Sequence, residues 1–314
     1  MRILVLGAGG IGGYFGGRLL QASADVSFLV REARADQLRK HGLMLASRLG
    51  NFRAPVSVVL AHEVKSPFDL VILTCKAYDL DSAIETIAPA VGEHTAVLPL
   101  LNGVLHIDAL SSRLGESHVL GGVAHLAVTL SQDGVVQHLN DINILVFGER
   151  SGRPSPRCKA LSDLLRASTV EARFSQNILQ DMWDKLVFLG TLAGITCLMR
   201  ASIGEILETG VGEKLILQLL MECEQVATAC GYRPNEDQLA RYRAQLTERD
   251  SAYTASMLRD IERGGRTEAD HVLGDLLKRA QCKRLRTPLL DVAYTHLQSY
   301  EVRRARHVSR SSGA

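Results

Sequence analysis

Hydrophobic positions in the first hundred residues come in short unbroken runs, separated by stretches with helical spacing. Residues 2–6, 26–30, 69–74 (DLVILT) and 95–98 are such runs, the signature of strands covered on both faces. Residues 11–21 and the region 81–90 carry the period of helices. Strands alternating with helices predict a parallel, doubly wound sheet. From 119 to 148 the texture changes. β-rich runs (VLGGVAHLAVTL, VVQHL, INILVFG) follow one another with a turn signal at Asp133-Gly134 and no helix between them, predicting antiparallel strands that extend the first domain. Residues 151–156 read as a Ser/Gly/Pro loop and 169–172 as a last strand. Beyond Ser175 the chain reads as helix throughout. Leu215, Leu219, Cys223, Val226 and Cys230 form one stripe, stopped by Gly231 and Pro234. Further helices fit 235–246, 254–262, 269–279 and 288–300, and the arginine-rich tail from Arg303 reads as a frayed end. The expected organisation is an α/β domain over 1–175 and an all-α domain over 176–314.

Composition narrows the class. Hydrophobic residues make up 46% of the 314 and charged residues 22%, which excludes a disordered chain. Thirty-six Lys and Arg against 34 Asp and Glu leave a net charge of +2, no basis for a nucleic-acid-binding face. No two of the six cysteines are spaced as CxxC, so they read as reduced, mostly apolar side chains in a reducing, cytoplasmic setting. The opening MRILVLGAGG is too short and glycine-rich for a signal peptide, and the apolar run 186–199 falls short of the ~20 residues that span a bilayer. No membrane partner is expected.

The chemistry starts at Gly7-Ala8-Gly9-Gly10-Ile11-Gly12, a GxGxxG pattern that closes the first strand and opens the first helix. Gly7 suits the tight turn, Gly9 a close approach of backbone to a pyrophosphate, and Gly12 close packing of helix on strand. The other reading is a plain strand–turn–helix of small residues. The second strand runs into Arg31, with Arg34 just beyond. An arginine here suits the 2′-phosphate of NADP, where an NAD site carries Asp or Glu; the alternative is a solvated first helical turn.

GAGGIG, TCKAYD at 74–79, LNGV at 101–104, MWDKL at 182–186 and SMLRDIERGGRTEAD at 256–270 occur in an order and spacing that resembles the ketopantoate reductases (2-dehydropantoate 2-reductases). The resemblance runs nearly end to end. It implies an N-terminal Rossmann-type doubly wound sheet with an antiparallel extension, an all-α C-terminal domain, and NADP as cofactor. It implies further that Lys185 is the catalytic proton donor, that Asn102 places substrate and lysine, that Lys76 lies near cofactor and substrate, and that Ser256 and Glu268 hold the substrate. Three positions depart from the family pattern. Leu189 and Ala193, four and eight residues after the lysine, replace asparagines, and Tyr253 replaces another. A polar face has become apolar, which leaves the substrate open.

Read without the family, the same residues keep two meanings each. Lys185 fits either a proton donor whose pKa burial lowers or a lysine snorkelling from a helix end. Glu268 follows Thr267 in a T-x-x-D pattern that resembles a capping box, so it either serves substrate or complements a helix dipole. Asn102-Gly103 is a turn or a ligand site at a strand's carboxyl end, and Lys76 is a loop lysine or shares that address. Ser256 on a helix could be an exposed spacer. Trp183 reads as core, and His125, His138 and His271 lack metal-ligand spacing, so no metal site is assigned. The expected activity is NADPH-dependent reduction of a small 2-oxo acid, 2-dehydropantoate first, in pantothenate biosynthesis. The alternatives are another 2-oxo or 2-hydroxy acid on the same scaffold, or a nucleotide-binding regulatory protein without catalysis. Apolar surface on the helical half suits a homodimer.

Overall fold

The computed structural model describes residues 1–311, which form two units, Met1–Met182 and, from Trp183 onward, the rest of the described chain. The first unit begins with β1 (Arg2–Leu6), α1 (Gly10–Gln21), β2 (Asp25–Leu29), α2 (Glu32–His41), β3 (Leu43–Ala46), β4 (Phe52–Ala54) and β5 (Ser57–Val59). It continues with β6 (Leu70–Leu73), α3 (Leu80–Ile87), β7 (Ala96–Pro99), α4 (Leu105–Leu114), β8 (Leu120–His125), β9 (Val128–Leu130), β10 (Val135–His138), β11 (Ile144–Glu149), α5 (Pro156–Arg166) and β12 (Glu171–Phe174).

The main sheet has the order β5-β2-β1-β6-β7 and every pairing in it is parallel. Its strands read as uninterrupted apolar runs because both faces are covered: Ile3, Leu4, Val5, Val71 and Leu73 are fully buried. The order reverses direction between β1 and β6, the switch point where such sheets bind ligands. The register matters more than the order. Leu6 pairs with both Leu29 and Leu73, and Leu73 pairs with Pro99, so β1, β2, β6 and β7 end level. The segments carrying the glycine turn, Arg31, Lys76 and Asn102 therefore leave from one edge of the sheet.

The β-rich segment supplies antiparallel pairs, β8 with β11 and β9 with β10, as members of two small separate sheets, β12-β11-β8 and β4-β3-β10-β9. Each small sheet also contains a parallel pair, β3 with β10 and β11 with β12.

α6 (Ile178–Met199) carries the chain from the first unit into the second. The second unit continues with α7 (Ile203–Leu207), α8 (Gly212–Ala229), α9 (Glu236–Leu246), α10 (Ser256–Glu262), a π-helical turn (Asp270–Gly274), α11 (Asp275–Cys282) and α12 (Pro288–Ser311). Length and composition alone would let α6 cross a membrane, but 67% of its most apolar stretch is buried inside the fold, as befits a core helix. The tail expected to fray from Arg303 instead extends α12 to Ser311, with Arg304 bonded to Glu301 at 2.8 Å; residues 312–314 lie outside the described residues. Cys158, Cys197 and Cys223 are buried and free, and burial pushes the thiols of the last two up to about 12. Trp183, 4% exposed, stacks on Tyr232 at 5.3 Å and is core, as its setting in the sequence suggested.

α12 has an unusual cap. Glu222 of α8, 1% exposed, accepts the backbone N–H groups of Leu289 at 3.1 Å and Leu290 at 2.9 Å, and the Gln218 side-chain amide at 2.9 Å. One side chain thus answers two orphan donors at a buried helix start. Glu222→Ala leaves both unanswered and opens a cavity. Urea unfolding should show it less stable by about 2–4 kcal/mol at unchanged m, and Glu222→Gln should lose less.

Candidate active site

In the first unit the glycine turn is built as its sequence requires. Gly7 has φ +96°, a left-handed conformation open to glycine, and its N–H donates to the Leu29 carbonyl at 3.0 Å. A Cβ on Gly12 would stand 2.0 Å from the Gly7 carbonyl oxygen and 2.4 Å from Thr74 Oγ1, so α1 meets β1 with no room for a side chain. A Cβ on Gly9 would meet nothing within 4 Å. That open space faces the start of α1, where no side chain caps the helix and no acidic residue occupies the first turn. The first-turn N–H groups, including those of Gly10 and Ile11, are left for an external anion. These features fit the pyrophosphate of a dinucleotide.

Arg31 stands at the start of α2 with its side chain 82% exposed, Nη2 lying 3.0 Å from Asp79 Oδ2. Asp79 closes the short 3₁₀ turn Ala77–Asp79 that Lys76 opens after β6. Arg34, one turn on, is built into the loop itself. Its Nε donates to the Ala8 carbonyl at 3.1 Å and its Nη1 to the Gly134 carbonyl at 3.2 Å and to Gln37. Its Nη2 is buried without a protein partner, and burial lowers its pKa. Sequence reasoning noted Arg34 without giving it a role; its position three residues after Arg31 on one helix was the available signal. Asn102 is half-buried in the turn after β7, where Gly103 takes φ 80° before α4 begins.

In the second unit Lys185 occupies the interior of α6, not a helix end, so the snorkelling geometry is unavailable. Leu186 and Val187 beside it are fully buried, while Lys185 keeps partial solvent access. Burial lowers its ammonium pKa from 10.5 to about 8, and the charge of Glu268 opposes that fall. Glu268 is 9% exposed, in the segment just before the π-helical turn. The capping-box expectation at this point fails. The π-helical turn is entered through Ala269 with no side-chain cap, and Thr267 instead donates both its N–H and its hydroxyl to Glu301 Oε1, at 2.6 and 2.7 Å. Asp270 accepts from the Tyr294 hydroxyl at 2.8 Å. The segment holding Glu268 is thereby tied to α12 on both sides. Ser256, half-buried, is the first residue of α10. Leu189 lies one turn beyond Lys185 and is half-buried, whereas Ala193 is 1% exposed, inside the core. The two departures at these positions therefore differ: Leu189 is accessible beside the lysine, and Ala193 serves packing.

A parallel sheet with an uncapped glycine turn at its switch point, in a chain whose helical unit sets a lysine of lowered pKa near a buried glutamate, defines an oxidoreductase of the dinucleotide-fold kind. The chain belongs to the ketopantoate reductase family. The family "Ketopantoate reductase PanE/ApbA" matches residues 3–152 and its C-terminal counterpart residues 177–301. The chain is 36% identical over 301 residues to "Uncharacterized oxidoreductase YkpB" of Bacillus subtilis, covering 96% of this chain and 99% of that protein. It is 26% identical over 327 residues to a "2-dehydropantoate 2-reductase" of Mesorhizobium japonicum, covering 97% and 99%. Among solved structures, D-mandelate dehydrogenase with NADH and anilino(oxo)acetate is similar in fold, with a TM-score of 0.88 at 24% identity over 97% of this chain and 99% of that one.

Proposed function

We propose that this chain reduces a 2-oxo acid to the corresponding 2-hydroxy acid with NADPH as electron donor. The observation that carries the reading is Lys185, whose ammonium is brought to a pKa of about 8 with Glu268 nearby. Reduction of a ketone builds negative charge on the carbonyl oxygen, and a donor with a pKa near the working pH serves best there. The bound dihydronicotinamide supplies a hydride to the carbonyl carbon. Lys185 delivers the proton to the oxygen and is reprotonated from solvent, while Glu268 and Ser256 orient the substrate. In the first unit the Gly7–Gly12 turn holds the pyrophosphate. Asn102 and Lys76, leaving the same sheet edge, hold the nicotinamide end, and Lys76 offers a positive charge to a carboxylate.

NADP preference rests on Arg31, exposed and paired with Asp79. Arg31→Ala should raise the Kd for NADPH by about tenfold or more, the worth of one charge-assisted contact to the 2′-phosphate, and leave that for NADH nearly unchanged. Equal effects on the two coenzymes in a fluorescence titration would remove the assignment. 2-Dehydropantoate, the substrate in the name of the Mesorhizobium relative, is the first acid to test, and its reduction would serve pantothenate biosynthesis. Leu189 beside Lys185 favours a second reading, a 2-oxo acid with a different side chain. NADPH consumption with a panel of 2-oxo acids decides the reaction class, and no turnover with any of them would refute it.

A further inference from the structure

Along the middle of α6 the solvent-accessible part is a narrow strip. From Gly190 to Cys197 every residue is buried, and Leu186 and Val187 are fully so. Between Asp181 and Cys197, access is confined to Asp181, Asp184, Lys185, Phe188 and Leu189, positions that recur at helical spacing and share one face. The proton donor is therefore followed, one turn on, by an aromatic and a branched aliphatic side chain. The Phe188 ring lies 5.0 Å from Tyr242 and 6.1 Å from Tyr253, tilted at 39° and 31°. Tyr242 is buried at the back of this group, while Tyr253 is 47% exposed, on the segment that leads into Ser256. An apolar shelf thus spans from α6 to the start of α10, within the helical unit and beside the lysine.

This shelf offers hydrocarbon surface where the chain of a bound acid, extending from its reacting carbonyl, would rest. From α6, Phe188 and Leu189 give a hydroxyl on that chain nothing to bond with, and burying it unpaired costs affinity. Aromatic or branched groups gain from the same surface, since aromatic pairs add to simple area burial. We infer that Phe188, Leu189 and Tyr253 select a 2-oxo acid whose side chain is aromatic or branched hydrocarbon, over one that carries a hydroxyl. The inference rests on the proposed reduction and names the substrate class of that same site.

The test uses the full chain with NADPH and four acids: phenylglyoxylate, 4-methyl-2-oxopentanoate, 2-dehydropantoate and pyruvate. The first two should exceed 2-dehydropantoate in kcat/KM by about tenfold or more, the discrimination that apolar contacts and an unpaired hydroxyl supply. Tyr253→Ser removes an exposed side chain and so spares the fold. It should lower the ratio of kcat/KM for phenylglyoxylate to that for pyruvate by about tenfold, through KM. Leu189→Asn should shift the preference toward 2-dehydropantoate. Preference for 2-dehydropantoate in the unaltered protein, or ratios that neither substitution moves, would overturn the inference and leave the reductase assignment standing. Absence of turnover with all four acids would overturn both.

Discussion

Lys185→Ala should lower kcat by about a hundred- to ten-thousandfold, the range for loss of a positioned general acid, while NADPH still binds, because the glycine turn belongs to the other unit. Lys185 donates only while protonated, so kcat for reduction should fall as pH rises through about 8. Stability should move the opposite way. Folding lowers this pKa from 10.5 to about 8, so between those values the unfolded chain holds more protons than the folded one. The free energy of unfolding then rises with pH across that window. Lys185→Met should flatten both profiles. A rate profile from stopped-flow reduction and denaturant midpoints across the same pH range check the pair. An unaltered kcat in Lys185→Ala would remove the proton donor from the scheme.

The second large effect separates folding from binding at two neighbouring glycines. Gly12→Ala forces a Cβ to 2.0 Å from the Gly7 carbonyl oxygen, so α1 must move off β1. That overpacking should cost about 1–3 kcal/mol of stability, along with coenzyme affinity as the helix start loses its aim. Gly9→Ala places its Cβ in open space and should leave the melting temperature near that of the unaltered protein. It should nonetheless weaken NADPH binding by about tenfold or more, because the added methyl occupies the approach to the pyrophosphate. If Gly9→Ala binds NADPH normally, the turn does not hold the pyrophosphate as described.

The parts of this fold visible in the sequence are those with a local signature. β1, β2, β6 and β7 are continuous apolar runs, and the glycine turn stands between two of them. What escaped were pairings between distant segments. β3 finds β10 across ninety residues, and a pattern of period two does not say which sheet a strand will join. At the site, Lys185 was legible as an ion in an apolar helix, but its low pKa needed the buried walls of α6. Thr267 looked like a cap because a local motif suggested it. In the fold no side chain caps the turn that follows, and Thr267 donates to a distant carboxylate, Glu301. Arg34 was readable only as another charge on α2 until Ala8 and Gly134 came within reach. Phe188 had no signal of its own, since its meaning comes from two tyrosines far along the chain.

The π-helical turn at Asp270–Gly274 has a consequence for how this site can change. Such a turn accommodates one residue more than an α-turn. Excising a single amino acid there would restore ordinary helical bonding and rotate whatever precedes it by about 100° about the axis. Glu268 precedes it, so the direction of that carboxylate is countable in whole residues. One codon lost from this stretch would re-aim the carboxylate proposed to orient the substrate while the rest of the helical framework stayed in place.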